Sequence, residues 1–245
     1  MKKIKKYGIT DDTLNNIPIV DSKEGNFDKY KKDKKSTTWL IIENNQLRFL
    51  QQININNHKY CGFITEPYLL FLDYSKQLSL KIEIIEKSFS EKTTEIIELK
   101  EDFKLNLLEQ ETFDNYLVYK INFIMTIIMS LESYLNNLIP DTTTYNGINK
   151  QRIEKEFSIK QKLKDVVPLF KNIGDQKEYE SKYSEILRLN NLRNDFAHLK
   201  TRAENNNMDS FLNDFESILK LNAKKEFNIV SEFISYVENL EYLSN

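Results

Sequence analysis

The chain has 245 residues, 40% hydrophobic and 29% charged, with a formal net charge of -2. That balance fits a folded globular protein and excludes an intrinsically disordered one, and the length allows one large domain or two small ones with a sizeable core. The near-zero charge gives no global attraction for nucleic acid, so any RNA contact has to come from a local patch.

At the N-terminus Met1-Lys2-Lys3-Ile4-Lys5-Lys6 is basic, but no apolar run follows it as a targeting signal would require. Residues 1–36 are polar and lysine-rich and read as a loosely ordered basic arm. Residues 37–100 read as a small β-containing (α+β) module. Its expected strands are 38–42, 47–50, 68–72 and 78–84, the last with clean period-two alternation. Glu43-Asn44-Asn45-Gln46 is a plausible hairpin connection. His58, in Asn56-Asn57-His58-Lys59-Tyr60, reads as a solvated loop histidine, and the lone Cys61 excludes an internal disulfide and suits a reducing compartment.

From residue 101 to 245 the pattern is helical, and the fold class expected is mainly α, with a C-terminal antiparallel four-helix bundle. Residues about 90–110 read as one helix and 113–139 as a stronger one ended by Pro140. Within it Ile124, Ile127, Ile128, Leu131, Tyr134, Leu135 and Leu138 build a broad apolar face. Its greasiest run, 123–131, is too short to span a bilayer, so the protein is expected in the cytoplasm and off the membrane. A loop at 141–147 precedes a helix at about 149–171 that Pro168 ends or kinks. Asp175 can cap the next helix, 176–199; a linker at 205–208 and one or two helices over 209–241 close the chain.

The helix at 176–199 carries Leu192-Arg193-Asn194-Asp195-Phe196-Ala197-His198, which puts a fixed cation, an amide, a carboxylate and one of two histidines together. Metal-free RNA cleavage needs a base for the ribose 2′-hydroxyl and an acid for the departing 5′-oxygen. It also gains from a cation beside the phosphorane. Imidazole serves either proton-transfer role near neutral pH, and a guanidinium clamps phosphate oxygens. Asn194 and His198 share a helical face, but Arg193 and His198 are rotated roughly 140° apart. The arginine stem can swing back, the helix can end before His198, or a neighbouring subunit can complete the site. The chemistry favours the last, because the helical part holds a single histidine and a two-fold dimer supplies a second. The plainer reading makes Arg193 and Asp195 surface ion-pairing residues and His198 a polar residue stabilised by a helix C-terminus.

The motif resembles the Arg-x(four to six)-His motif of HEPN domains (higher eukaryotes and prokaryotes nucleotide-binding). Ile127-Ile128-Met129-Ser130-Leu131-Glu132-Ser133-Tyr134-Leu135-Asn136 resembles that family's first core helix, and Ser158-Ile159-Lys160-Gln161-Lys162-Leu163 through Pro168-Leu169 the second. The resemblance covers about 113–241 and implies a HEPN bundle that dimerises through its motif helices. It further implies a metal-independent endoribonuclease, as in toxins and phage-defence effectors, with no cofactor. Arg193 and His198 then match the catalytic pair and Asn194 the polar residue after the arginine, while Glu132 matches an acidic position that supports it and Asp195 stands beside them. Lys200 occupies the position where some toxins of the family carry a modified tyrosine, and with Arg202 it can line the RNA path. The partners implied are RNA, a second copy of the chain, and an antitoxin or regulatory protein. Two other functions stay open: a non-catalytic module binding nucleotide, RNA or protein, and a dimerisation scaffold whose function lies in the β-containing module. Two histidines and one cysteine make no convincing zinc site, a carboxylate-only magnesium site stays open, and no glycine-rich phosphate loop occurs.

Overall fold

Residues 19–21, 38–43, 46–100, 103–197 and 208–243 are described by the computed structural model, which divides into two units, Met1–Glu66 and Pro67–Asn245. In the first, strands β1 (Ile19–Asp21), β2 (Thr38–Glu43), β3 (Gln46–Ile55) and β4 (His58–Ile64) form a sheet in that order. β1 lies parallel to β2, and the other pairs are antiparallel. The strands expected at 38–42 and 47–50 are parts of β2 and β3, and Asn44-Asn45 of their expected connection lies outside the described residues. So does the expected basic arm, apart from Ile19–Asp21. Asn56 and Asn57 turn β3 into β4 with φ of 49° and 65°. A two-residue turn with both φ positive matches the twist of its strands, and asparagine tolerates that backbone well. His58 is therefore the first residue of a strand and not a loop residue.

The second unit is mainly helical, with small antiparallel hairpins. Helix α1 (Pro67–Ser88) replaces the strands expected at 68–72 and 78–84. The alternation of Leu78, Leu80, Ile82 and Ile84 suggests a strand, but Ser75, Leu78, Ser79 and Ile82 are buried at helical spacing while Leu80 and Ile84 face outward. Two of those buried positions are serines, which an apolar pattern does not register. Their hydroxyls are satisfied locally: Ser75 Oγ donates to Phe71 O, and Ser79 Oγ to Lys76 O. Ser75 Oγ also lies 3.0 Å from Thr126 Oγ1 on the neighbouring helix.

The helix expected at 90–110 is instead a hairpin, β5 (Thr93–Lys100) with β6 (Phe103–Leu108). The β-branched Thr93, Thr94, Ile96 and Ile97 favour strand, and Glu109 N donates to Lys92 O at the hairpin base, 2.9 Å. Helix α2 (Gln110–Leu138) is the longest and packs against most of the others. Its buried Ile124, Ile127, Ile128, Leu131, Tyr134 and Leu135 belong to the face expected from periodicity, with Leu138 partly buried, and Phe123 is buried in addition. The helix ends just before Ile139 and Pro140.

The loop expected at 141–147 holds strand β7 (Thr144–Tyr145), which pairs with β8 (Ile148–Asn149) across Asn146-Gly147, both at positive φ. The single helix expected at 149–171 is broken. Helix α3 (Lys150–Glu156) stops at Phe157, and Ser158 opens α4 (Ile159–Gln161) with a capping box to Gln161. The chain continues as a π turn, Lys162–Val166, and a 3-10 turn, Val167–Leu169, that contains Pro168. Asp175 Oδ1 accepts from the backbone N–H of Lys177 and Glu178 and starts helix α5 (Gln176–Ala197). Helices α6 (Met208–Lys220) and α7 (Ala223–Asn239) complete the unit, and Asn222 caps the second. No helix among the described residues is long and apolar enough to cross a membrane.

Three buried lysines close helix ends. Lys120 Nζ donates to Leu219 O and Leu221 O at the end of α6, and Lys171 Nζ to Leu240 O after α7. Lys162 Nζ donates to Glu154 O in α3. Carbonyls at a helix C-terminus lack intrahelical partners and carry partial negative charge, so an ammonium group answers both needs.

Candidate active site on the last turns of helix α5

Leu192 and Phe196 pack against the core and fix the rotation of the end of α5. That rotation sets Arg193 toward α2. Its Nη2 lies 3.9 Å from Glu132 Oε2, and Arg193 is the more buried partner, 30% exposed against 41%. The other carboxylate oxygen, Glu132 Oε1, lies 3.9 Å from Lys162 Nζ. Lys162 is fully buried, and besides Glu154 O it donates to Asn136 Oδ1 at 2.7 Å. One carboxylate thus stands between two cations at ion-pair rather than hydrogen-bond distance. Burial pushes the pKa of Lys162 down, and the Glu132 and Glu154 carboxylates oppose that shift.

The arrangement is locally determined on both sides. Glu132 and Asn136 are four apart on α2 and share a face. Lys162 follows Ile159 by three positions and precedes Leu163 and Val166, all of them buried, so it is drawn inward with them. Its helical spacing, three after Ile159 and four before Val166, was the available signal, although Lys160, Gln161, Lys164 and Asp165 around it are polar. Sequence reasoning missed Lys162 and Asn136 as members of the site because a lysine scores as surface unless its partners are known.

A second feature of α5 lies on another side. Ser184, Leu187, Arg188, Asn191, Leu192 and Asp195 line a cleft of about 540 Å³ with Ser217 of α6. Arg188 is paired there with the buried carboxylate of Glu226 in the first turn of α7. Helix geometry turns Arg193 about 200° from Asn191 and Asp195 alike, so the arginine points away from this cleft. Asp195 therefore belongs to the cleft, while Arg193 takes Glu132 as an ion-pair partner. Asn194 is half-buried. His198, Lys200 and Arg202 lie outside the described residues.

In the first unit, His58 is exposed, its ring centroid 6.4 Å from that of Tyr60, and Cys61 is an exposed free thiol. Among the described residues no three His, Cys, Asp or Glu side chains converge as a metal site would require. Chemically, the Arg193 cluster offers a guanidinium that is oriented yet not locked, because it is held at ion-pair distance by a carboxylate whose charge is shared. Such a group can turn to an incoming phosphate. No family model, no curated protein and no solved structure matches the chain.

Proposed function

We propose that the helical unit is a HEPN-type endoribonuclease that cuts RNA without a metal, at a site completed across a homodimer. In this reading α2, the 159–169 segment, α5 and the closing helices make the antiparallel four-helix bundle of that family. One His198 takes the proton of the ribose 2′-hydroxyl, and the His198 of a second copy protonates the departing 5′-oxygen. Arg193 neutralises the phosphorane, and Asn194 orients the phosphate or the imidazole. The protein then acts in the cytoplasm as a toxin or phage-defence effector, with an antitoxin or regulatory protein as a further partner and Lys200 and Arg202 along the RNA path.

The observation that carries this reading is the pairing of Arg193 with Glu132. It joins the motif helix to the acidic residue of the first-core-helix stretch, the two positions that the resemblance relates. Purified protein should cut RNA in EDTA, leaving cyclic-phosphate and 5′-hydroxyl ends, and His198→Ala should not. Equal cutting by both, a strict need for magnesium, or a strictly monomeric protein in solution refutes it.

A second reading, a non-catalytic module that binds nucleotide, RNA or protein, draws on the turn of Arg193 toward its own chain and away from the cleft. Tight RNA or nucleotide binding without turnover, unchanged in His198→Ala, selects it.

A further inference from the structure

The buried Lys162 has more contacts than a helix-closing group needs. Lys120 and Lys171 also close helix ends, those of α6 and α7. Lys162 alone of the three ends on the carboxylate that also faces Arg193. The two cations approach different oxygens of Glu132, and Lys162 is anchored by Asn136 Oδ1 and Glu154 O, so it cannot follow the carboxylate if that moves. Arg193 is the member that can leave.

This matters because a phosphate and a carboxylate compete for the same guanidinium. A half-buried Arg–carboxylate pair with no other cation nearby can close to short, often bidentate hydrogen bonds, and an entering phosphate must first break them. A second, immobile cation on the far oxygen divides the carboxylate's charge and holds it back from that closure. Observed separations of 3.9 Å on both sides fit a carboxylate held between two cations, not one committed to either.

Building on the nuclease reading, we infer that Lys162 is a positioning residue: by holding Glu132 from behind, it keeps Arg193 oriented but exchangeable for a substrate phosphate. Lys162 touches no substrate and acts only through Glu132. With Lys162 uncharged, Glu132 clamps Arg193 and RNA is bound more weakly. With Glu132 also uncharged, nothing is left to clamp, and the loss disappears. A lysine that serves only to close α3 behaves otherwise, since its replacement harms the protein whether or not residue 132 is charged.

The test is a double-mutant cycle of Lys162→Gln with Glu132→Gln, read as the Kd of fluorescein-labelled 2′-O-methyl oligouridine, which cannot be cleaved, and as kcat and KM on cleavable RNA in EDTA. Lys162→Gln should raise Kd and KM about fivefold, the scale of one half-buried ion pair, with a smaller change in kcat. In the Glu132→Gln background the same replacement should change them less than about twofold. Where Lys162→Gln fails to fold, Asn136→Asp serves instead. It draws the Lys162 ammonium away from Glu132, and its weakening of binding should likewise vanish with Glu132→Gln. Equal losses in both backgrounds, no loss in either, or no oligonucleotide binding by the wild-type protein overturns the inference. Cleavage with an additive cycle sinks the Lys162 role and leaves the nuclease reading standing. Binding with the expected suppression but no cleavage sinks the nuclease reading alone.

Discussion

Replacing Lys120 with methionine keeps the length of a buried side chain and removes its charge, and the surroundings allow the cost to be worked out. Lys120 is 1% exposed. Its ammonium donates to Leu219 O at 2.6 Å and to Leu221 O at 2.7 Å, lies 3.4 Å from Glu86 Oε1, and sits over the Tyr116 ring. Glu86 is 44% exposed, so water replaces that partner and its loss costs about 1 kcal/mol at most. Leu219 O regains a partner, because the single proton of Tyr116 Oη, 2.9 Å from Glu86 Oε1 and 3.3 Å from Leu219 O, can turn to the carbonyl once the ammonium is gone. Among the described residues Leu221 O is left with no other donor, and an orphaned buried carbonyl costs about 1–3 kcal/mol. Removing the cation from the end of α6 adds about 1 kcal/mol. The sum is about 3 kcal/mol, and the relief from burying an ammonium trims it toward the lower side.

Urea unfolding followed by far-UV circular dichroism should show that loss. The only tryptophan, Trp39, lies in the first unit, so helical ellipticity is the correct probe for this one. With an m-value of about 2 kcal/mol/M the midpoint falls by about 1–1.5 M. Tyr116→Phe alone should cost about 1 kcal/mol. Together the two replacements should cost more than their sum, because Leu219 O then loses both donors. A loss below about 1 kcal/mol for Lys120→Met, or strict additivity with Tyr116→Phe, refutes the view that the ammonium is there for the end of α6.

Other expectations follow from single contacts. Asp175→Ala removes the side-chain acceptor for two backbone N–H groups at the start of α5 and should cost about 1 kcal/mol in urea unfolding, with Asp175→Asn close to neutral. The hydroxyls of Tyr134 and Tyr179 are pushed well above the ordinary tyrosine pKa, chiefly by burial. A folded pKa above the unfolded value of about 10 means that their contribution is complete below about pH 10 and is lost as pH rises beyond it. Burial lowers the pKa of Lys120 and Lys162, which works in the opposite sense but stops near their unfolded value of about 10.4. Urea midpoints should therefore fall steeply above about pH 10, and Tyr179→Phe should flatten the fall; an unchanged slope sinks that account. Arg193→Ala should abolish RNA cleavage and any growth arrest on expression while leaving the urea midpoint within about 0.5 kcal/mol, since its ion pair is partly exposed.

Much of the helical unit could be read directly from the chain. The extent of α2 follows from one apolar face and a proline stop, and the start of α5 from Asp175, because both signals are local and unopposed. The position of Leu192 to Ala197 on a helix was readable for the same reason. What the sequence left undecided were places where two periods compete or where the deciding partner is remote. Residues 78–84 fit a strand by alternation, and only the burial of serines against α2 makes them helix. Thr93 to Leu108 hold both helical and extended patterns, and pairing across the hairpin selects the second.

The site divides along the same line. Sequence alone determined that Arg193, Asn194 and Asp195 are neighbours near a helix end and that they cannot all face one target, since this follows from the helical repeat. Only the tertiary structure decided which way each one faces. Packing of Leu192 and Phe196 rotates Arg193 onto Glu132 and Asp195 into the cleft beside Ser217. Lys162 was legible only as one lysine of a mixed, lysine-rich segment, not as a partner of the site. Its charge is tolerated in the core only because Asn136, Glu154 and Glu132 arrive from elsewhere in the chain to meet it. A buried charge takes its meaning from the groups that surround it, and those are assembled by folding.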